Sequence, residues 1–281
     1  MPLITFLYIA DICGKAGRQA AAYMVKPLKE RYAADYVIAN VENAAGGFGI
    51  TPEMARKVFS YGVDIQTSGN HIWDRQDIVK YFDLKPKLLR PANYPSYAPG
   101  TGSFIDTIGD QKIAVLNLMG RTYMKDIDCP FQVANRELLS IKQQTQIIVV
   151  DFHGEATSEK QAMFYYLDGK VSAIIGSHTH VQTADEQISR LGTAYITDAG
   201  MTGAHDSVIG MEKEPSLQRF LTGMPIRFTT ATEDVKISGV VVTINAIDGK
   251  AQHIERYRYD FDIDSFSNED PFNEKPEVSS E

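Results

Sequence analysis

The stretch IIGSHTHVQTADE, residues 174–186, closes a β-branched run with two histidines one residue apart, His178 and His180. On a strand, or on the extended turn leaving it, residues i and i+2 face the same way, so both imidazoles are expected to project together. A His-x-His alone is an ordinary surface feature, because a metal site needs further ligands. The chain offers such groups at equivalent places: Asp11 follows the apolar run 3–10, Glu42-Asn43 follows 36–41, Asn70-His71 follows 63–68, and His153 follows 146–152. Each has a plain reading by itself: Asp11 as a helix cap, Asn43 or Asn70 as a turn residue, His153 as a satisfied half-buried histidine. Taken together they sit at the ends of five strands, and strand ends of one open α/β sheet converge where such folds place their ligands.

The donor types select the chemistry. Two carboxylates (Asp11, Glu42), two amide oxygens (Asn43, Asn70) and three imidazoles (His153, His178, His180) exceed what one tetrahedral zinc can use. They suit two five- or six-coordinate ions sharing a carboxylate bridge. Oxygen and nitrogen donors without an obvious thiolate favour iron, manganese or zinc over copper(I) or an iron–sulfur cluster.

Parallel-type strands must carry these groups. The runs LITFLYIA (3–10), YVIANV (36–41), VDIQTS (63–68), KIAVLNLM (112–119), QIIVVDF (146–152) and VSAIIGS (171–177) are short, β-branched and in several cases apolar on both faces. Helix-like stretches separate them at 17–33, 52–60, 74–82, 132–144 and 156–167, the second opened by Thr51-Pro52, an N-cap followed by proline. Strands alternating with helices imply βαβ units. After about residue 185 the pattern changes: TAYITDAG (193–200), residues 236–259 and the turn Asp248-Gly249 predict antiparallel hairpins and a second sheet. The expected organisation is one domain over 1–261 and an acidic, flexible tail over 262–281.

The 281 residues can bury a sizeable core. The formal net charge of −8 argues against a nucleic-acid duplex or an anionic membrane as a standing partner, so a phosphate ligand would need metals or local donors. The N-terminus lacks the basic region of a signal peptide, and no apolar run is long enough to span a membrane. Cys13 and Cys129 are too few for a disulfide framework, which predicts a reducing, cytoplasmic setting.

The order of Asp11, the acid in NVENAAGGFG, GNHIWD (69–74), His153 and GSHTH (176–180) resembles the calcineurin-like metallophosphoesterase superfamily. ADICGKAGR, VENAAGG, SGNHIWD and GSHTHVQTADE are similar to its YmdB-like bacterial phosphodiesterase branch, from Asp11 to about Tyr259. Two departures from the superfamily stand out. Asp11-Ile12-Cys13 lacks the histidine of the usual Asp-x-His, and Glu42 stands where an aspartate bridge is usual. The YmdB-like branch implies that glutamate, with Asn43 replacing the lost histidine. A buried, structural Cys13 is expected in preference to a ligand.

The resemblance implies a four-layer α/β/β/α sandwich of two mixed sheets. It also implies two metal ions, iron foremost with manganese or zinc as alternatives. One ion would take Asp11, Glu42, Asn43 and His180; the other would take Glu42, Asn70, His153 and His178. His71 would remain unligated as general acid, while a hydroxide held by the two cations attacks a cyclic nucleotide of the 2′,3′-cyclic AMP type. The alternatives are a phosphomonoesterase, including a phosphoprotein phosphatase, and a regulatory protein with incidental catalysis. A free His71 argues against the latter, because a structural site closes its coordination. The oligomeric state stays open, a homo-oligomer included. No role follows for His205 or His253. The glycines of AAGGFG (44–49) fit backbone approach to substrate or a flexible loop equally well.

Overall fold

The computed structural model describes residues 2–262 except Asp83, so the predicted tail beyond Asp262 lies outside the described residues. In chain order the first half contains β1 (Leu3–Ile9), α1 (Gly14–Arg31), β2 (Tyr36–Asn40), α2 (Pro52–Ser60), β3 (Ile65–Thr67), α3 (Val79–Phe82), β4 (Ser103–Ile108) and β5 (Gln111–Met119). The second half contains α4 (Pro130–Ile141), β6 (Ile148–His153), α5 (Thr157–Leu167), β7 (Ala173–Ser177), β8 (Gln187–Ile188), β9 (Ala194–Ile196), β10 (Gly203–Ala204), α6 (Lys213–Thr222), β11 (Val235–Asn245) and β12 (Ala251–Asp260).

The strands form two mixed sheets. In the first, β3, β2 and β1 run parallel, β11 lies antiparallel on the free edge of β1, and β10 and β12 both pair with β11. In the second, β5, β6, β7 and β9 run parallel, with β4 and β8 as antiparallel edges. Phe6, Tyr8 and Ile38 of the first sheet pack against Val115, Val149 and Ile175 of the second. Helices cover both outer faces: Ala20, Val25 and Leu28 of α1 and Val58 of α2 on one side, Leu138 of α4 and Phe164 of α5 on the other. This is the expected four-layer α/β/β/α sandwich. Strands covered on two sides cannot alternate polar and apolar residues, hence their continuous apolar runs. Fully burying each such aliphatic side chain contributes ~1.5–3 kcal/mol.

One local expectation holds in part and two fail. The strand at 193–200 is antiparallel on one edge only, where β9 pairs with the two-residue β8; on its other edge it continues the parallel set beside β7. The second sheet is not built by the late strands; β11 and β12 extend the first sheet, since β1 offered an open edge, and the parallel strands divide between the sheets. The helix expected at 74–82 is a 3-10 turn at Gln76–Ile78 and the single turn α3. Arg75 is extended, with φ −113° and ψ 105°, so a regular helix cannot run through it from Asp74.

Candidate metal centre

The turn leaving β1 carries Asp11, and its backbone is tied on both sides: Ile12 N donates to Asn40 O and Cys13 N to Thr202 O, each at 2.9 Å. Asp11 is fully buried. Its Oδ1 accepts from Asn43 Nδ2 at 3.0 Å, while its Oδ2 lies 3.5 Å from His180 Nε2 and has no hydrogen-bond partner among the described residues. The same Asn43 amide lies 3.4 Å from Glu42 Oε1 and 3.1 Å from His180 Nε2. His180 Nδ1 donates to Ile209 O at 2.8 Å, which leaves Nε2 without a proton in the neutral ring. Two amide protons therefore face three acceptors.

The other half of the cluster gathers around His153. Its Nε2 lies 2.7 Å from Glu42 Oε1, 3.2 Å from Asn70 Oδ1 and 3.0 Å from His178 Nδ1. Its Nδ1 lies 3.0 Å from Ser177 Oγ, and that hydroxyl donates its only proton to Asp151 Oδ1 at 2.7 Å. Ser177 must therefore accept from His153 Nδ1–H, which leaves Nε2 of the neutral ring bare. His178 Nε2 lies 3.1 Å from Glu155 Oε2, so its neutral ring can leave Nδ1 bare as well. The four lone-pair groups then converge with the Asn43 amide, 3.4 Å from Glu42 Oε1, as their donor, an arrangement that a cation satisfies. Ligand atoms of Glu42, His153 and His178 lie within 4.8 Å of one another. Both halves thus fit bound cations.

The same contacts shift the ionisable groups. Burial alone would raise the Asp11 and Glu42 carboxyls, but His180 beside Asp11 and His153 beside Glu42 hold both below the usual carboxylate range. Burial would lower His180, yet Asp11 pushes it up to about 9. Burial likewise opposes protonation of His153, while Glu42 raises it. Burial and the neighbouring His153 drive His178 down to about 3.

His178 and His180 do face the same cluster, though not by strand alternation. β7 ends at Ser177, and the two histidines adopt left-handed φ values of 104° and 64°. Such strain in non-glycine residues persists only where the surroundings enforce it. Gly69 shows a second enforced approach, because a Cβ there would overlap the His153 ring.

His71 stands at the rim, not among the converging lone pairs. Its backbone N donates to Glu42 Oε2 at 3.0 Å, its Nδ1 bonds Asp74 Oδ2 at 2.7 Å, and its ring meets the Phe48 edge with centroids 5.0 Å apart. Cys13 is buried beside Gly210, and burial followed by Asp11 and Glu42 pushes its thiol up to about 12. His205 is half-buried on Gly203 O, and exposed His253 pairs with Glu255. Neither belongs to the cluster.

A family model described as YmdB-like protein matches residues 7–257. The chain belongs to the YmdB-like family. A 2′,3′-cyclic-nucleotide 2′-phosphodiesterase of Bacillus subtilis is 44% identical over 250 residues, covering 89% of this chain and 95% of its relative. Among solved structures, one titled a novel phosphatase, from Mycoplasma pneumoniae, superposes with a TM-score of 0.88 at 34% identity over 92% of this chain and 94% of its own. A protein from Thermus thermophilus described as hypothetical gives 0.86 at 36% identity over 92% and 99%.

Two supports of this YmdB-like cluster escape sequence reasoning. Asp151 in β6 is buried, accepts from Tyr8 Oη and Ser177 Oγ at 2.7 Å and from Thr67 Oγ1, and so holds the serine that orients His153. Lys160 of α5 forms a fully buried pair with Asp198 at 2.7 Å, and Asp198 also accepts from Thr179 N at 3.0 Å and Thr179 Oγ1 at 2.8 Å. That pair fastens the residue between His178 and His180. The available signals were single charges in apolar surroundings, Asp151 in IIVVDFH above all.

Proposed function

We propose that this chain is a metal-dependent phosphodiester hydrolase acting on cyclic nucleotides of the 2′,3′ type. The observation that carries the reading is the convergence of Glu42, Asn70 and His178 on His153 Nε2, an arrangement that a cation satisfies. The relative's 2′,3′-cyclic-nucleotide activity supports the substrate class.

Asp11, Asn43 and His180 would hold one ion, Asn70, His153 and His178 the other, with Glu42 shared. Asn43 would turn its amide so that the oxygen replaces the nitrogen, a rotation that conserves shape. Bound cations would supply charge that acidifies water and neutralises phosphate oxygens. All donors being oxygen or nitrogen, and the Cys13 thiol being pushed up to about 12, iron fits, with manganese or zinc as alternatives. Free Cys13 and Cys129 suit a reducing, cytoplasmic setting. Among the described residues no helix is long and apolar enough to cross a membrane.

His71 would act as the general acid. Asp74 Oδ2 accepts from its Nδ1–H, so the proton to be transferred would be the one on Nε2. Phe48 packs one side of the ring against reorientation and water.

The test is turnover by the metal-loaded protein on 2′,3′-cyclic, 3′,5′-cyclic and linear diesters beside monoesters. Preference for the 2′,3′-cyclic diesters is expected; faster turnover of monoesters would replace this reading with a phosphomonoesterase.

A further inference from the structure

We propose that Tyr123 is the stacking platform for the nucleobase of the substrate, in a subsite built by the turn that follows β5. The inference rests on the cyclic-nucleotide reading above and adds the residue that holds the part of the substrate remote from the phosphate.

A cavity of about 280 Å³ lies directly beside the cluster, lined by Asn70, Tyr123, Met124, Lys125 and His178. Asn70 and His178 contribute atoms to the cluster around His153, so a phosphate seated there must send the rest of its molecule outward, and this cavity is one step away. In its lining, Tyr123 is 89% exposed and adopts a left-handed φ of 61°, uncommon for a bulky residue.

The turn is pinned in place at both ends. The Glu159 carboxylate accepts from Arg121 N at 3.0 Å and Thr122 N at 3.0 Å, and Lys125 Nζ donates to Asn70 O at 2.9 Å. The second tether runs to a cluster residue itself, so the turn that carries Tyr123 is held close to the cluster. A preorganised exposed aromatic beside a phosphate site suits a flat base, because stacking is favourable for any base and demands no base-specific hydrogen bonds. Turnover should accordingly discriminate little between purine and pyrimidine substrates.

The experiment compares wild type, Tyr123→Ala and Tyr123→Phe on adenosine 2′,3′-cyclic phosphate and on ribose 2,3-cyclic phosphate, which lacks the base. Metal content is measured in parallel. Because the side chain is exposed, neither variant disturbs the core. Tyr123→Ala is expected to raise KM for the nucleotide by about 5- to 100-fold with kcat within about twofold. It should leave the base-free substrate unchanged, and Tyr123→Phe should behave as wild type. An unchanged nucleotide KM, or an equal change on both substrates, would overturn the assignment. A calorimetric arm uses adenosine 3′-monophosphate and inorganic phosphate on the manganese-loaded protein. Weakening by Tyr123→Ala should fall on the nucleotide alone, and equal affinities in wild type and variant would refute it. This arm decides the role of Tyr123 even where wild type turns over neither cyclic phosphate, a result that would overturn the hydrolase reading instead.

Discussion

Around Asp11 the Asn43 amide supplies protons to a carboxylate oxygen and to His180, whereas in the group around His153 that amide reaches only Glu42 Oε1, at 3.4 Å. The first half can partly satisfy itself: an amide stands in for a cation, and His180, pushed up to about 9 after burial is overcome by Asp11, can keep a second proton. In the second half Glu42 likewise raises His153 against burial, but burial and His153 drive His178 down to about 3. Two neighbouring sites of one cluster can therefore depend on cations to different degrees, although Glu42 touches both.

The strongest break of this contrast is Glu42→Gln. Removing the shared charge should empty both halves together and lower turnover by more than the ~10²-fold that loss of an outer partner typically costs. Elemental analysis and activity check it, and two ions per chain retained in the variant would remove Glu42 from the bridging role. His71→Ala should leave both halves intact. It should lower turnover of nucleotide esters by about 10²–10⁴-fold, and of a nitrophenyl ester far less, because that leaving group needs little protonation. Equal losses with metals retained would make His71 a phosphate-positioning residue.

Two smaller effects sharpen the contrast. Ser177→Ala cuts the link from Asp151 to His153 and should weaken metal binding by about 10–100-fold in the second half alone, measured by competition with a chelator. Cys13→Ala, beside Asp11, should leave metal content and turnover unchanged and cost about 0.5–3 kcal/mol of stability, read by denaturant unfolding. Loss of one metal equivalent would instead make the thiol a ligand.

The cluster was legible in sequence because strand ends converge: Asp11, Glu42, Asn43, Asn70, His153, His178 and His180 each follow an apolar run, and the structure brings all seven together. Runs apolar on both faces showed strands covered on two sides, while the four layers came from the family resemblance. What holds the cluster rigid was not. Lys160 and Asp198 are 38 residues apart, and no local pattern announces their pairing. The left-handed turn at His178 and His180 follows from that distant pair and from Ile209, not from the β propensity of the preceding run. The division of strands between two sheets likewise depends on which edge β11 chooses, a tertiary choice.

The most direct measurement is anomalous diffraction from crystals of the wild-type protein loaded with manganese or iron. Two peaks are expected. One should be bounded by Asp11, Asn43 and His180 and the other by Asn70, His153 and His178, with Glu42 reaching both. A single peak, or two peaks with Glu42 coordinating neither or only one, would contradict it.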